Sequence, residues 1–198
     1  MKSGQWETLS RRELLSAPPW IRVTVEEVRL PNGRIVSDFY QVALPDFALV
    51  VPVTAEGLVV SLRQYKHGVK RVSTMLPAGL IQEGEEPLAC AQRELLEETG
   101  YTSSEWRPLG AFVVDGNRGC GRAHLFVASG ARRDSEARID EDELEPLEIR
   151  LATPADLMRD VASGEMVGLA HVAALMLWLN AFSPPASPRS ERTGSRAG

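Results

Sequence analysis

Residues 79–101 read GLIQEGEEPLACAQRELLEETGY, which sets Gly79, Glu85, Arg93, Glu94, Glu97, Glu98 and Gly100 at the spacing G-x5-E-x7-R-E-x-x-E-E-x-G. On a helix, Glu94, Glu97 and Glu98 fall at i, i+3 and i+4, so three carboxylates share one face within reach of a common point. Like charges at that spacing repel by roughly a few tenths of a kcal/mol per pair, and a divalent cation reverses the sign. Magnesium suits such a face, because it takes hard oxygen ligands and leaves positions open for water and substrate phosphates.

The helix is expected to start near Glu86, with Pro87 in the first turn, where a missing N–H loses no hydrogen bond. It is expected to stop at Thr99-Gly100, where glycine can take the left-handed conformation. Leu88, Ala91 and Leu95 form an apolar stripe beside the carboxylate face. Arg93 flanks that face, where its fork can fix a carboxylate rotamer, and Glu85 is its expected partner. Cys90, one turn before Glu94, reads as a small packed residue. Gly79 lets the loop approach the metals closely.

Strands are expected on the amino-terminal side. Residues 21–30 alternate through Val23, Val25 and Val28, Pro31-Asn32-Gly33 supplies a turn, and residues 35–42 return as the second arm of a hairpin. A second pair, 47–53 and 58–65, flanks Thr54-Ala55-Glu56-Gly57, after which Leu76-Pro77-Ala78-Gly79 breaks the sheet. Beyond the acidic helix, residues 106–114 and 123–129 read as strands around a glycine-rich loop. An acidic stretch at 140–145 precedes a strand at 147–151. Thr153-Pro154-Ala155-Asp156 starts a helix, and a last apolar helix spans 168–181, with Met166, Leu175, Met176 and Trp178 as core. Trp20 reads as a core or interface tryptophan. His67, His124 and His171 are isolated and read as structural. From Ser183 the chain is rich in Pro, Ser, Arg and Gly, a composition of disordered segments.

Composition narrows the function. A chain of 198 residues with 43% hydrophobic and 25% charged residues suits one catalytic domain with extensions. The net charge of -5 and the lack of a basic stripe argue against nucleic-acid binding. Cys90 and Cys120 form no C-x-x-C pair, which disfavours zinc and redox roles and fits a cytoplasmic location. No apolar run is long enough to span a bilayer, and the amino terminus lacks an apolar signal core.

At every fixed position, residues 79–101 match the Nudix box, and the chain resembles the Nudix hydrolase superfamily. Arg63-Gln64-Tyr65-Lys66, Leu76-Pro77-Ala78-Gly79 and the element order resemble its ADP-ribose pyrophosphatase-like branch. The resemblance implies an α/β fold, a Nudix α/β/α sandwich with a mixed sheet and an N-terminal β-hairpin or sheet extension. It divides the chain into a possible dimerisation element (1–45), a Nudix domain (46–182) and a tail (183–198). It further implies hydrolysis of the pyrophosphate of a nucleoside diphosphate sugar, foremost ADP-ribose, with Mg2+ or Mn2+, by a homodimer.

Carried over by motif, the Ala78 carbonyl, Glu94, Glu97 and Glu98 bind metal, and Arg93 orients the carboxylates. For Glu97, steering a bridging water is the alternative to binding metal. Glu143, with Glu145 as the alternative, takes the proton of the attacking water. Lys66, Arg63 and Arg118 are the substrate-phosphate candidates. Two departures leave the nucleotide open: Met75 replaces the glutamate many relatives carry before the turn, and Asp115-Gly116-Asn117 stands where ADP-ribose specialists often have proline. Other nucleoside diphosphate sugars, dinucleotides and oxidised nucleoside triphosphates remain alternatives, as does a noncatalytic nucleotide sensor.

Overall fold

The computed structural model describes residues 4–134 and 147–182. The acidic stretch with Glu143 and Glu145, and the tail from residue 183, lie outside the described residues. A three-stranded antiparallel sheet comes first, in the order β1 (Glu7–Ala17), β2 (Ile21–Arg29), β3 (Ile35–Ala43). β2 and β3 are the expected hairpin, turned at Gly33 (φ 84°), whose N–H donates to the Leu30 carbonyl at 2.9 Å. β1 is an addition to that expectation. Its run of charged and polar residues hides a strand that is exposed along most of its length. Pairing from Glu7↔Arg29 to Ala17↔Ile21 holds it, together with an Arg11–Glu26 ion pair at 2.6 Å. Val28 is buried on the face of Glu26, so the expected stripe of Val23, Val25 and Val28 is divided between two faces.

The second sheet contains β4 (Phe47–Thr54), β5 (Val59–Lys66), β6 (Arg71–Met75), β7 (Ala78–Leu80), β8 (Tyr101–Thr102), β9 (Glu105–Asp115), β10 (Cys120–Arg133) and β11 (Glu148–Ala152). It is mixed. β4 runs parallel to β10 and antiparallel to β5 and β7. Among the described residues there are three helices: α1 (Pro87–Thr99), α2 (Pro154–Ser163) and α3 (Leu169–Phe182).

Strand alternation makes the layers. On β4, Leu49 and Val51 pack with Leu157 of α2 and Ala174, Leu175 and Trp178 of α3. Ala48 and Val50 point the other way, onto Cys90, Ala91 and Leu95 of α1. With both faces covered, the strand reads as a continuous apolar run rather than an alternating one. Each fully buried leucine or valine contributes about 1.5–3 kcal/mol, so the apolar side of α1 supplies a substantial part of its attachment to the sheet. Met166 belongs to this core as expected, and Met176 packs at its edge.

Three expectations need correction. Leu76-Pro77-Ala78-Gly79 does not break the sheet: β6 ends just before it, β7 begins within it at Ala78, and the Pro77 carbonyl accepts from Val50 N at 3.0 Å. The turn needs no donor at Pro77, so proline fits without interrupting the pairing of β7 to β4. Leu88 is 38% exposed, because the inward arc of α1 is carried by Cys90, Ala91 and Leu95. Trp20, at 66% exposed, is no core residue.

The two sheets meet where Val42 N donates to the Arg118 carbonyl at 3.0 Å and Gln41 Nε2 to the Asn117 carbonyl at 3.1 Å. No helix among the described residues is long and apolar enough to cross a membrane.

Candidate active site

α1 begins after Glu86, with Pro87 in the first turn, and ends at Gly100 in the left-handed region (φ 69°). Those limits fix the rotation of the acidic face relative to the turn between β6 and β7. Ala78 N donates to Glu98 Oε2 at 2.9 Å. Glu94 lies against Gly79, where a Cβ would fall 1.9 Å from Glu94 Oε1. Glycine is needed here for space: it lets the Glu94 carboxylate come up to the loop.

Arg93 organises the rest. Its Nε and Nη2 donate to the two oxygens of Glu85 at 2.9 and 3.0 Å, a bidentate fork. Nη1 donates to Glu94 Oε1 at 2.6 Å and Glu97 Oε2 at 3.0 Å. Nη2 also reaches the Leu80 carbonyl at 3.3 Å. One guanidinium thus spans three carboxylates and the strand after the turn.

The electrostatics follow from this geometry. The hydrogen bonds from Arg93 hold the Glu85 carboxyl down at about 2. Glu94 is pushed up, chiefly by burial, against the opposing pull of Arg93. Burial, then the charges of Glu85 and Glu94, pushes the Cys90 thiol up to about 12, which makes it an inert packed group.

Among the described residues, no three His, Cys, Asp or Glu side chains converge on a ready-made ion shell. Glu94 and Glu97 turn to Arg93, and Glu98 turns to the Ala78 amide. The donor set still fits a divalent cation. Glu94 offers hard carboxylate oxygens whose charged form burial disfavours, and a cation beside it would restore that form.

The cationic candidates are dispersed. Lys66, at the end of β5, donates from Nζ to Gln64 Oε1 at 2.5 Å. Arg63 faces Glu165 at 3.6 Å. Arg118 pairs with Asp115 at 2.7 Å and lines a cavity of about 200 Å³ with Arg11 and Arg22, at the junction of the two sheets rather than on the acidic helix.

Sequence reasoning missed the placement of His171. Its Nδ1 accepts from Leu76 N at 3.1 Å, and the ring lines an apolar cavity of about 470 Å³ with Trp20, Phe47, Leu80 and Leu169. The one local signal is Gly168, three residues earlier, whose missing side chain leaves room for the ring.

A helix-borne row of glutamates, gathered by one arginine beside a strand-ending turn, defines a class of phosphoanhydride hydrolases. The NUDIX domain profile matches residues 44–169, and the chain belongs to the Nudix family as a Nudix pyrophosphohydrolase. The profile of the nucleoside diphosphate sugar hydrolase N-terminal domain matches residues 6–42. An ADP-ribose pyrophosphatase of Bacillus subtilis (strain 168) is 34% identical over 84% of this chain and 88% of its own. An ADP-ribose pyrophosphatase of Mycobacterium tuberculosis is 27% identical over 89% of this chain and 84% of its own. Among solved structures, an ADP compounds hydrolase superposes with a TM-score of 0.76 at 22% identity, covering 91% of this chain and 98% of the other. That likeness shows the fold.

Proposed function

We propose that the protein hydrolyses the pyrophosphate linkage of a nucleoside diphosphate sugar, with ADP-ribose giving AMP and ribose 5-phosphate. The carrying observation is the intact set of Arg93, Glu94, Glu97 and Glu98 on one helix, with Glu98 joined to the Ala78 amide. The two ADP-ribose pyrophosphatases similar over most of this chain support the substrate. A protein that only senses nucleotides has no need to keep three mutually repelling carboxylates.

Glu94, Glu97, Glu98 and the Ala78 carbonyl would hold magnesium, with manganese as an alternative. When bound, the ion supplies charge that polarises the phosphoryl oxygens and stabilises the leaving phosphate. Arg93 keeps Glu94 and Glu97 in fixed rotamers, so the residues are pre-oriented rather than reorganised during the reaction. Glu143 takes the proton of the attacking water, and Glu97 steers that water. Lys66, with Arg63 and Arg118, neutralises the diphosphate.

In this reading residues 1–45 are the dimer-forming extension, residues 46–182 are the catalytic unit, and the enzyme is a cytoplasmic homodimer. A second reading keeps the chemistry but shifts the substrate to another ADP compound. It is supported by Met75 in place of glutamate and by an ADP compounds hydrolase of Escherichia coli, 27% identical over 87% of this chain and 90% of its own.

The test is a panel of nucleoside diphosphate sugars, dinucleotides and nucleoside triphosphates with Mg2+ or Mn2+, products being resolved by ion exchange. AMP and ribose 5-phosphate from ADP-ribose is the expected result. Calorimetric binding of ADP-ribose without product in the presence of either ion would leave the sensor instead. Sedimentation of the full chain tests the dimer.

A further inference from the structure

The Leu76–Gly79 turn is held at three backbone groups by three different parts of the fold. The Pro77 carbonyl accepts from Val50 of the central strand at 3.0 Å, and the Ala78 N–H donates to Glu98 of α1 at 2.9 Å. The Leu76 N–H, at the head of the turn, donates to Nδ1 of His171, on α3, at 3.1 Å. Leu76 itself is fully buried, so its N–H has no recourse to water if that acceptor is lost.

The imidazole is placed for this contact. A Cβ on Gly168 would lie 2.4 Å from His171 Cδ2, so glycine at that position leaves the space the ring occupies. Accepting at Nδ1 requires the proton to sit on Nε2. Burial, and then the charge of Lys66, keep the ring neutral by drawing it down to about 4.

We infer that His171 is a positioning residue that clamps the head of the Leu76–Gly79 turn from α3 and thereby sets where the Ala78 carbonyl is presented to the divalent ion. This rests on the reading of Ala78 as an ion ligand. His171 touches neither the acidic residues nor the reacting phosphates in this role. It acts through the turn, from the opposite side of the sheet to α1.

Two readings test it on the full chain: amide hydrogen exchange of the metal-free protein, and titration with Mn2+ alone. In His171→Asn the Oδ1 atom can replace Nδ1 as acceptor, whereas His171→Leu has no acceptor and Gly168→Ala pushes the intact ring aside. Protection of the Leu76 amide is expected to stay within about threefold of wild type in the asparagine variant and to fall about tenfold or more in the other two. Mn2+ binding should weaken about tenfold in those two variants, and kcat at subsaturating ion should fall with the substrate KM unchanged.

Unaltered Leu76 exchange in His171→Leu overturns the clamp. So does equal loss of protection in His171→Asn and His171→Leu. Loss of protection with undiminished Mn2+ affinity overturns the link to the ion. If the leucine variant does not fold, Gly168→Ala against His171→Asn makes the same comparison. Exchange and Mn2+ titration need no substrate, so failure of the ADP-ribose assignment would show separately.

Discussion

Ala78 donates its backbone N–H to Oε2 of Glu98 at 2.9 Å, a charge-assisted hydrogen bond that ties the strand-ending turn to the acidic helix. With Glu98 only 8% exposed, its carboxylate would be costly to bury without such a donor. The same side chain therefore has two tasks, holding the turn and, in the proposed mechanism, binding the ion.

Glu98→Gln separates those tasks. The amide oxygen can still accept from Ala78, so the melting temperature should stay within about 4 °C of wild type, a change below about 1 kcal/mol. The charge is gone, and turnover of ADP-ribose with Mg2+ should fall about a hundredfold or more. Turnover within threefold of wild type would remove Glu98 from the ion site.

Gly79→Ala tests the space rather than the charge. The added Cβ would lie 1.9 Å from Glu94 Oε1, and the carboxylate must swing away from the loop and from Nη1 of Arg93. Overpacking of this kind destabilises by about 1–3 kcal/mol. Thermal denaturation should show that loss, with weaker ion activation. An unshifted midpoint and unchanged activation by Mg2+ would mean that Glu94 has another, equally good position.

Arg93→Lys keeps the charge and loses the fork. The Arg93 and Glu85 side chains are only 25% and 15% exposed, so their bidentate pair is worth more than a surface bridge, and the variant should lose about 1–2 kcal/mol. A double-mutant cycle with Glu85→Gln should place most of that loss in the Arg93–Glu85 pair. Glu97, 45% exposed, should couple far less. Equal coupling to both glutamates would contradict the fork as the organising contact.

The acidic helix was legible in the sequence because its signals are local: Pro87 and Gly100 set its ends, and the i, i+3, i+4 spacing set its charged face. Even there, Leu88 misled, since periodicity gives a stripe about 100° wide without saying which edge meets the sheet. β1 was hidden because an exposed edge strand needs no apolar alternation, and its charged residues pair across to Glu26 and Arg29. β6 and β7 were lost to Pro77, which punctuates a sequence more strongly than it interrupts this sheet. The contact of His171 with Leu76 joins residues 95 apart, and no local pattern carries such a pairing.

Acid should destabilise the fold in two successive windows. His171 titrates at about 4 in the folded chain against an ordinary 6.5, and Glu85 at about 2 against 4.5. In both cases the unfolded chain takes up the proton first, so stability falls as pH is lowered from 6.5 to 4 and again from 4.5 to 2. Glu94, raised by burial, acts with the opposite sign. Asp115 and Asp156, lowered by their hydrogen bonds with Arg118 and Thr153, add to the lower window. Urea midpoints of the metal-free protein, followed from pH 7.5 downward, should therefore decline in two steps. His171→Asn should flatten the first and leave the second. Glu85→Gln should shrink the second without abolishing it, because the two aspartates remain. A first step that survives His171→Asn would mean that the imidazole is accessible to protons in the folded state, and that the neutral acceptor facing Leu76 is not what resists acid.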